Sequence, residues 1–500
     1  MLKKGFDNLW LHEVINCLYE AGLNNDKLPL LFLENNTAQV AIKTSGGISS
    51  RTNIHNIIMQ GSIWGGMCCV VLMNKLGNMT YENPELLYYY KGLVATPPLQ
   101  MVDDILATQK CSRKSQRMNG VINTFIELEK LTLSRNKCNN VHVGKRNMEC
   151  HTLKVHGTEM KNSDQESYLG DQIHKSGLLK HTINARVSKG YGAITSILSI
   201  VKEIPLAHWR VEAGLRLREA LLFINGTLFN SEAWQGLSED DLIILEKVDE
   251  SLLRGICGAH SKIPIESLYL ETGTIPIRFI IKNRRLSYLK TIINRDPDEL
   301  IREVYDAQKL DTTPGDFAEL VLKDSIEISF DIRNEKEIKE MKIENYKTKV
   351  KEKIREAAFE HLKNLKSKHT KMKNLKYDKL ELAQYMNSPL FDYENVKLLL
   401  ALRTRTLRGI KADFRGMFPD ANCPLGCLHE DTIPNILTCP AILAHRQSND
   451  AAIGNVQYED IFNLDIVKQK QVTSLYRKHL DIRETLLNSS PVAIITGPMH

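Results

Sequence analysis

The sequence predicts an α+β protein in which an antiparallel sheet with helices on one face is followed by a mostly α-helical region. Residues 8–140 alternate strand-like and helix-like apolar patterns, whereas from about Ser176 onward the apolar spacing is helical. Three cysteines also lie close together near the end of the chain, at positions 423, 427 and 439. They predict a small Cys-rich C-terminal module.

The composition is that of an ordinary globular protein with one strongly basic segment. Five hundred residues with 42% hydrophobic content can bury more than one core, and about three domains are expected at this length. The net charge is only +6, but residues 339–379 carry fourteen Lys or Arg and six Asp or Glu. The global charge by itself therefore does not predict a polyanionic partner.

Cysteine usage and hydropathy predict an intracellular protein with no membrane partner. Ten scattered cysteines do not form a disulfide framework, which indicates a reducing compartment. The apolar run at residues 67–73 is far shorter than the roughly 20 residues that a membrane span needs. Asp7, His12 and Glu13 interrupt the start of the chain, where a signal peptide would be apolar.

The first predicted element is an amphipathic helix over residues 8–21, with Asp7 as N-cap and Gly22 as the C-terminal stop. The segment "QVAIKTSGGISS" predicts a strand and a turn, and the glycine-rich "QGSIWGG" leads into a buried helix. A strand is predicted on each side of Asp103 and Asp104. A second amphipathic helix and a short strand then follow; the apolar positions of this helix are Met118, Val121, Ile122, Phe125 and Leu128.

The second half of the chain is predicted to be helical. Ser238, with Asp241 three residues later, indicates a capped helix that ends near Gly255. The lysine-rich residues 339–379 predict a charged helix or a helix pair. Residues 446–500 are weakly patterned, so we expect a loosely structured tail there.

Two adjacent aspartates, Asp103 and Asp104, lie in "PLQMVDDILATQ" between apolar, β-prone flanks. A carboxylate pair on a tight turn between two strands is suited to Mg²⁺, because hard cations prefer oxygen ligands. The alternative is an ordinary hairpin turn, in which Asp is a favoured residue. The surrounding motifs favour the metal site.

Three further motifs stand in order around the acid pair. "QGSIWGG" lies upstream, a helix ending in "LSRNKC" lies downstream, and "SYLGDQI" closes the series. This ordered series resembles the palm of reverse transcriptases, specifically those of non-LTR retrotransposons. The resemblance covers about 170 residues and depends on order and spacing, since none of these motifs is specific alone.

The resemblance implies a role for each motif. Gln60 and Gly61 would lie against the template and the incoming nucleotide, and Asp103 and Asp104 would hold Mg²⁺. "MVDD" differs here from other members, which have an aromatic residue or Phe-Ala before the acids. Lys137 resembles the basic residue of the next motif. The remaining implied positions are Phe6, as the gate that excludes a ribose 2′-hydroxyl, and Tyr168, Leu169 and Gly170, as the primer grip.

The implied activity is RNA-directed DNA polymerisation by two-metal phosphoryl transfer on an RNA template and a DNA primer, with dNTPs. Three carboxylates share the two ions in this family, but the position of the first acid falls on Met1, and the fingers are missing. Asp7 is better explained as a helix N-cap. We therefore expect an N-terminally truncated protein with impaired polymerase activity, nuclear if it is functional. The alternatives are a non-catalytic RNA- or DNA-binding remnant and a nonfunctional transposon relic.

Four segments are expected on this basis. Residues 1–158 would form the palm, residues 159–378 the primer-grip hairpin, thumb and helical connector, residues 379–445 a basic helix with the Cys-rich module, and residues 446–500 the tail.

Cys423, Cys427 and Cys439 predict a zinc site, because closely spaced thiolates favour tetrahedral zinc. Retrotransposon proteins of this kind carry a Cys-Cys-His-Cys knuckle here, but Asn435 occupies the histidine position. Two replacement ligands are conceivable, His429 and His445. The alternative is three buried thiols without metal.

The segment "LLLALRTRTLRGIKADFRG" interleaves basic residues with leucines, so that a helix would have an apolar stripe and a basic face. We expect this face to contact phosphates of a nucleic acid, with a merely solvated face as the alternative. The basic residues are Arg403, Arg405, Arg408, Lys411 and Arg415.

Overall fold

The structure, a computed structural model, describes residues 9–23, 26–36, 39–53, 63–144, 152–414, 418, 420–445, 456–463 and 465–489. It is helix-rich, with small β-ladders and a cysteine cluster near the C-terminus. The chain divides into two compact units. The N-terminal unit runs to Thr182 and includes Arg295–Glu319, and the C-terminal unit comprises Ile183–Asn294 and the described residues from Leu320 onward.

Helices of the N-terminal unit build its core. The helices α1, α3 and α4 pack on one another, and residues such as Val14, Leu72 and Phe125 are fully or almost fully buried between them. This confirms the predicted amphipathic and buried helices, but the first helix begins at Leu11 with Trp10 as its N-cap, so the predicted cap Asp7 is wrong. The bounds are α1 Leu11–Glu20, α2 Leu28–Asn36, α3 Ile63–Tyr81, α4 Ser112–Leu128 and α10 Leu300–Leu310.

The strands of this unit pair in small ladders. Each ladder in the described part of the chain has two strands, and all are antiparallel except β9 with β12. The predicted antiparallel pairing is therefore confirmed for all but one ladder, but the described strands, of two to four residues, pair with one neighbour each and do not form a single sheet. The bounds are β1 Gln39–Val40, β2 Lys43–Thr44, β3 Gly47–Ile48, β4 Thr52–Asn53, β5 Tyr88–Tyr90, β6 Val94–Thr96, β7 Leu99–Met101, β8 Asp104–Leu106, β9 Asn139–Asn140, β10 Lys154–Val155, β11 Thr158–Glu159, β12 Lys161–Asn162, β13 Gln165–Tyr168 and β14 Asp171–His174.

Helices make up almost all of the C-terminal unit. The side chain of Ser238 accepts a hydrogen bond from the backbone N–H of Asp241 and the Asp241 carboxylate accepts one from the backbone N–H of Ser238, which confirms the predicted capping box. The bounds are α5 Lys180–Lys202, α6 Ala207–Leu217, α7 Glu239–Cys257, α8 Ile265–Thr272, α9 Ile277–Ile293, α11 Phe317–Glu327, α12 Glu335–Glu340, α13 Ile343–Ser367, α14 Tyr393–Arg403, α15 Ile433–Thr438, α16 Pro440–Leu443 and α17 Ile466–Ser489; a π-helical turn, Arg218–Thr227, follows α6.

Most of the lysine-rich segment 339–379 forms one long helix, α13, which confirms the predicted charged helix for residues 343–367. Its apolar stripe packs on α8 and α9, and its charged residues face outward. The stripe consists of Tyr346, Val350, Ile354, Ala358 and Leu362, each four residues after the one before.

Residues 456–463 and 465–489 are folded, which corrects the predicted loose tail for the described part of this segment. The helix α17 packs on α14 and α15, and Val472, Tyr476 and His479 are buried there. The guanidinium of Arg483 donates two hydrogen bonds, of 2.6 and 2.9 Å, to the buried carboxylate of Asp431. The apolar pattern of the sequence does not indicate this helix, because its buried face includes a histidine and an arginine.

None of the helices in the described part of the chain is both long and apolar enough to cross a lipid bilayer.

Replacing Arg483 by alanine should destabilise the C-terminal unit by about 3–5 kcal/mol, because it leaves the buried Asp431 carboxylate without its charged partner. Arg477→Ala, on the same helix, breaks an exposed ion pair with Asp392 and should cost no more than about 1 kcal/mol. Urea unfolding followed by circular dichroism measures both values. Equal effects of the two substitutions would contradict the buried position of α17.

Candidate metal centres and nucleic-acid interface

The acid pair lies on a hairpin, as the sequence predicts. Strands β7 and β8 are antiparallel, with Met101 opposite Asp104, so that Val102 and Asp103 form the turn. Val102 has φ +58°, which is unusual for a β-branched residue. The side chains of Val102 and Ile105 pack against the helical core of the N-terminal unit, and this contact holds the hairpin in place.

The carboxylate of Asp104 has an oxygen that lacks a hydrogen-bond partner. Its Oδ1 atom is buried and accepts no hydrogen bond. Burial raises the pKa of Asp104 above its ordinary value, and the charge of Asp103 raises it further, whereas the charge of Lys137 lowers it. A bound cation would satisfy this oxygen and stabilise its charged form.

The segment predicted as the primer grip is a second hairpin. Strands β13 and β14 pair with Tyr168 opposite Asp171, and Leu169 (φ +48°) and Gly170 (φ +90°) form a two-residue turn. Positive φ at both turn residues is typical of a type I′ hairpin. The structure therefore confirms the hairpin itself.

The two hairpins lie side by side. The hydroxyl of Tyr168 donates a hydrogen bond of 3.3 Å to the backbone carbonyl of Leu99, the first residue of β7. Burial raises the pKa of Tyr168, and the charge of Asp104 adds to the rise. On the helix α3, burial raises the pKa of Cys69 to about 11, with a contribution from Asp103. Electrostatic interactions thus link Tyr168, Lys137 and Cys69 to the acid pair.

Among the described residues, no third acid joins Asp103 and Asp104 in a group that could share one metal ion. The predicted template and nucleotide positions Phe6, Gln60 and Gly61 lie outside the described residues, as do Met1 and Arg415.

Cys423, Cys427 and Cys439, the three-thiol cluster, form the one group of potential metal ligands that the described residues bring together. Their sulfur atoms lie within 4.8 Å of one another, and those of Cys423 and Cys439 are 3.9 Å apart. Zn–S bonds of about 2.3 Å in a tetrahedron require sulfur–sulfur distances of about 3.8 Å. The cluster can therefore hold a metal ion such as zinc.

Hydrogen bonds position these thiols. The amide Nδ2 of Asn435 donates to the Sγ of Cys427 at 3.6 Å. Burial raises the pKa of Cys427, but hydrogen bonds from Asn435, from the backbone of His429 and from the thiols of Cys423 and Cys439 together bring it below its ordinary value. Neither His429 nor His445 joins the cluster through its imidazole, and the Nδ1 of His445 lies 3.0 Å from the carbonyl of Ala441.

The basic segment is not the continuous helix that the sequence predicts. The helix α14 ends at Arg403, and the chain then turns, with Arg405 at φ +51°. Arg403 is buried, and its guanidinium donates to the carboxylate of Glu271 at 2.8 Å and to the carbonyl of Ile461 at 2.8 Å. This corrects the assignment of Arg403 as a nucleic-acid contact, because it stabilises the interior.

Residues 404–411 form a basic loop after α14. Arg408 is exposed, Lys411 lies 3.2 Å from Asp420, and the Nε of Arg405 lies 3.9 Å from Asp413. Burial lowers the pKa of His260, and the nearby charges of Arg408 and two other cations lower it further.

Two residues that the sequence analysis did not identify lie beside the basic loop. The Nε2 of His260 lies 2.7 Å from the carbonyl of Thr406, and the Nζ of Lys371 donates to the carbonyl of Asp413 at 3.0 Å. These contacts join segments separated by up to 146 residues, so no local pattern could have indicated them.

In comparisons with known proteins, no family model matches this chain and no curated protein matches it.

Asp104→Asn should raise the stability of the folded protein at neutral pH, because an amide needs no charge compensation. The pKa of Asp104 is raised in the folded protein. Above this pKa the charged wild-type carboxylate therefore lowers the free energy of unfolding, whereas below it the carboxyl group is protonated and neutral. The advantage of the variant should therefore vanish as the pH falls through this range towards 3.8, the ordinary value. Thermal unfolding of both proteins across the acidic range measures the effect.

Asp103→Asn is the matched control for this prediction. Within the described residues Asp104 Oδ1, but no oxygen of Asp103, is buried without a partner. The gain in stability should therefore be smaller, and a larger gain for Asp103→Asn would contradict the assignment.

Proposed function

We propose that this protein is a reverse-transcriptase-type protein of a non-LTR retrotransposon that binds nucleic acid and has impaired DNA-synthesis activity. The observation that carries the proposal is the hydrogen bond of 3.3 Å between Tyr168 and Leu99, which joins the acid hairpin to the second hairpin. In the enzymes that the sequence resembles, these two hairpins hold the catalytic metals and the primer. A primer end gripped at Tyr168–Gly170 would lie next to Asp103 and Asp104.

The acid hairpin would hold Mg²⁺ through Asp103 and Asp104. The buried, unpaired Oδ1 of Asp104 fits such an ion, because Mg²⁺ takes hard oxygen ligands. When bound, the ion would neutralise charge on a phosphate oxygen. Lys137, whose charge acts on Asp104, would offset the repulsion between the two carboxylates.

Two-metal phosphoryl transfer needs both ions in fixed positions for in-line attack. Two carboxylates, with no third acid grouped with them among the described residues, would hold one ion and leave the second unfixed. This supports impaired synthesis. It also favours the second candidate function, a non-catalytic RNA- or DNA-binding protein that uses the same surfaces.

The C-terminal unit would contribute phosphate contacts and a zinc-binding module. Arg405, Arg408 and Lys411 lie on the basic loop beside His260 and Lys371. The three-thiol cluster follows this loop in the sequence, beginning at Cys423, and a bound zinc ion would stabilise its fold. The helix α13 presents further exposed lysines, among them those at positions 347, 349 and 351.

A template–primer extension assay with Mg²⁺ or Mn²⁺ tests the catalytic side of the proposal. We expect incorporation no higher than that of the double variant Asp103→Asn, Asp104→Asn, because a single ion does not fix the in-line geometry. The measurement is the yield of extended primer in single-turnover conditions. Extension that is strong in the wild type and lost in the double variant would contradict impairment and indicate an active polymerase.

Filter binding to single-stranded RNA across a salt series tests the binding side. Arg408→Gln should weaken binding and reduce the slope of log K against log salt by about 0.7, the value for one phosphate contact on a single strand. Arg216→Gln is the matched control, since it removes an exposed arginine from α6, away from the basic loop in the sequence. A wild-type affinity that does not depend on salt would favour a relic without nucleic-acid function.

A further inference from the structure

The three-thiol cluster supplies three ligands, whereas a structural zinc site is almost always four-coordinate. Asn435 contacts the cluster, but its amide Nδ2 donates a hydrogen bond of 3.6 Å to the Sγ of Cys427. An amide nitrogen has no lone pair to offer a metal ion. Asn435 therefore orients a thiolate, and the fourth ligand has to come from another residue.

His445 is held at the end of α16. Its backbone N–H donates to the carbonyl of Ile442 at 3.1 Å, and its Nδ1 lies 3.0 Å from the carbonyl of Ala441. A ring nitrogen that contacts a carbonyl oxygen in this way is the donor, so it has no lone pair for an ion. The ring of His445 thus already has a partner in its own helix.

The two acids that follow His429 in the sequence do not suit the fourth position either. Glu430 pairs with Asn422 in an antiparallel bridge, and successive residues of an extended chain point to opposite faces, so Glu430 points away from the face of His429. Both carboxylate oxygens of Asp431 accept hydrogen bonds from the guanidinium of Arg483, at 2.6 and 2.9 Å. Asp431 is therefore occupied by an internal ion pair.

His429 lies directly opposite Cys423 in the same short antiparallel pair. Their neighbours Asn422 and Glu430 form the bridge, and the N–H of Cys423 donates to the carbonyl of His429 at 3.0 Å. Side chains directly opposite each other in such a pair lie on one face, with their Cβ atoms about 4.5–5.5 Å apart. A cysteine and a histidine at this separation can reach one ion, since Zn–S and Zn–N bonds are about 2.3 and 2.1 Å long.

A second hydrogen bond fixes the backbone of His429 and leaves its side chain unused. The N–H of His429 donates to the Sγ of Cys427. His429 is exposed and lines a recess of about 340 Å³ beside Cys427, and its imidazole has no hydrogen-bond partner among the described residues. Rotation between staggered side-chain conformations can therefore carry the ring from the recess to the cluster while both backbone hydrogen bonds stay in place.

We propose that His429 is the fourth metal ligand, and that its imidazole turns from the recess to the ion when the three-thiol cluster binds metal. The inference rests on the proposed zinc-binding module and names the residue that completes it. The four ligands follow one another with three, one and nine residues between them. Cys423 and His429 come from opposite sides of the antiparallel pair, so a bound ion stabilises this pairing.

Cobalt substitution of the full-length protein tests the inference, because the visible absorption of Co²⁺ reports its ligands. The wild type should bind one Co²⁺ per chain, with tetrahedral thiolate bands that added imidazole does not shift. His429→Cys should keep the ion and move the bands to longer wavelength. Its thiolate charge-transfer absorption should rise by about one third, because the number of thiolates increases from three to four.

His429→Ala should bind Co²⁺ at least about tenfold more weakly, since even the loss of an outer-shell partner of a ligand typically costs about 10–100-fold in affinity. Added imidazole should restore the wild-type band positions in this variant. His445→Ala is the matched control, because it removes the other nearby histidine. It should keep the wild-type bands without added imidazole, and so should Asn435→Ala.

A His429→Ala variant with the wild-type spectrum and affinity would overturn the assignment of the fourth ligand. Loss of the wild-type bands in His445→Ala or in Asn435→Ala would overturn it too. Failure of the wild type to bind Co²⁺ at all would overturn the proposed zinc-binding module together with its fourth ligand. The failure of the module and the failure of His429 alone therefore give different results.

Discussion

The contact of Val102 and Ile105 with the helical core is the interaction on which the acid hairpin depends. Strands β7 and β8 have three residues each, and an isolated two-stranded hairpin of this length is marginal in water. Burial of these two side chains offsets the unfavourable φ of Val102 and fixes the direction of the carboxylates. The geometry at Asp103 and Asp104 is therefore a consequence of how α1, α3 and α4 pack.

Buried carboxylates have different partners at this hairpin and in the C-terminal unit. There, the buried carboxylates of Asp249, Glu271 and Asp431 each accept hydrogen bonds from an arginine. Asp104, in contrast, forms no ion pair with an arginine among the described residues, and it lies next to a second aspartate. A carboxylate left uncompensated by the protein is a candidate for compensation by a ligand, because burying an unpaired charge costs free energy.

Asp431 connects the two candidate surfaces of the C-terminal unit. Its carboxylate accepts from the backbone N–H of Lys411 at 2.8 Å and pairs with Arg483 of α17, while its backbone bonds to Ala412 and Ala421. The basic loop and the cysteine loop are thus tied to one buried residue.

Elements that depend on residues a few positions apart could be predicted from local sequence patterns. The capping box at Ser238, the apolar stripe of α13 and the two hairpins each follow from residues within a few positions of one another, and the spacing of the three cysteines already indicated their cluster. Residues with long-range partners could not be assigned in this way. The sequence predicts that Arg403 belongs to a basic face, because its partner Glu271 lies 132 residues away and no local pattern indicates it. Likewise, the sequence predicts a tail in place of α17, because the buried arginine of this helix pairs with a residue 52 positions away. The sequence by itself determined the helices and turns that depend on neighbouring residues, and which side chains carry charge or thiols. Only the tertiary structure decided which charges are buried and paired, since desolvation and ion pairing depend on neighbours that the chain brings together from a distance.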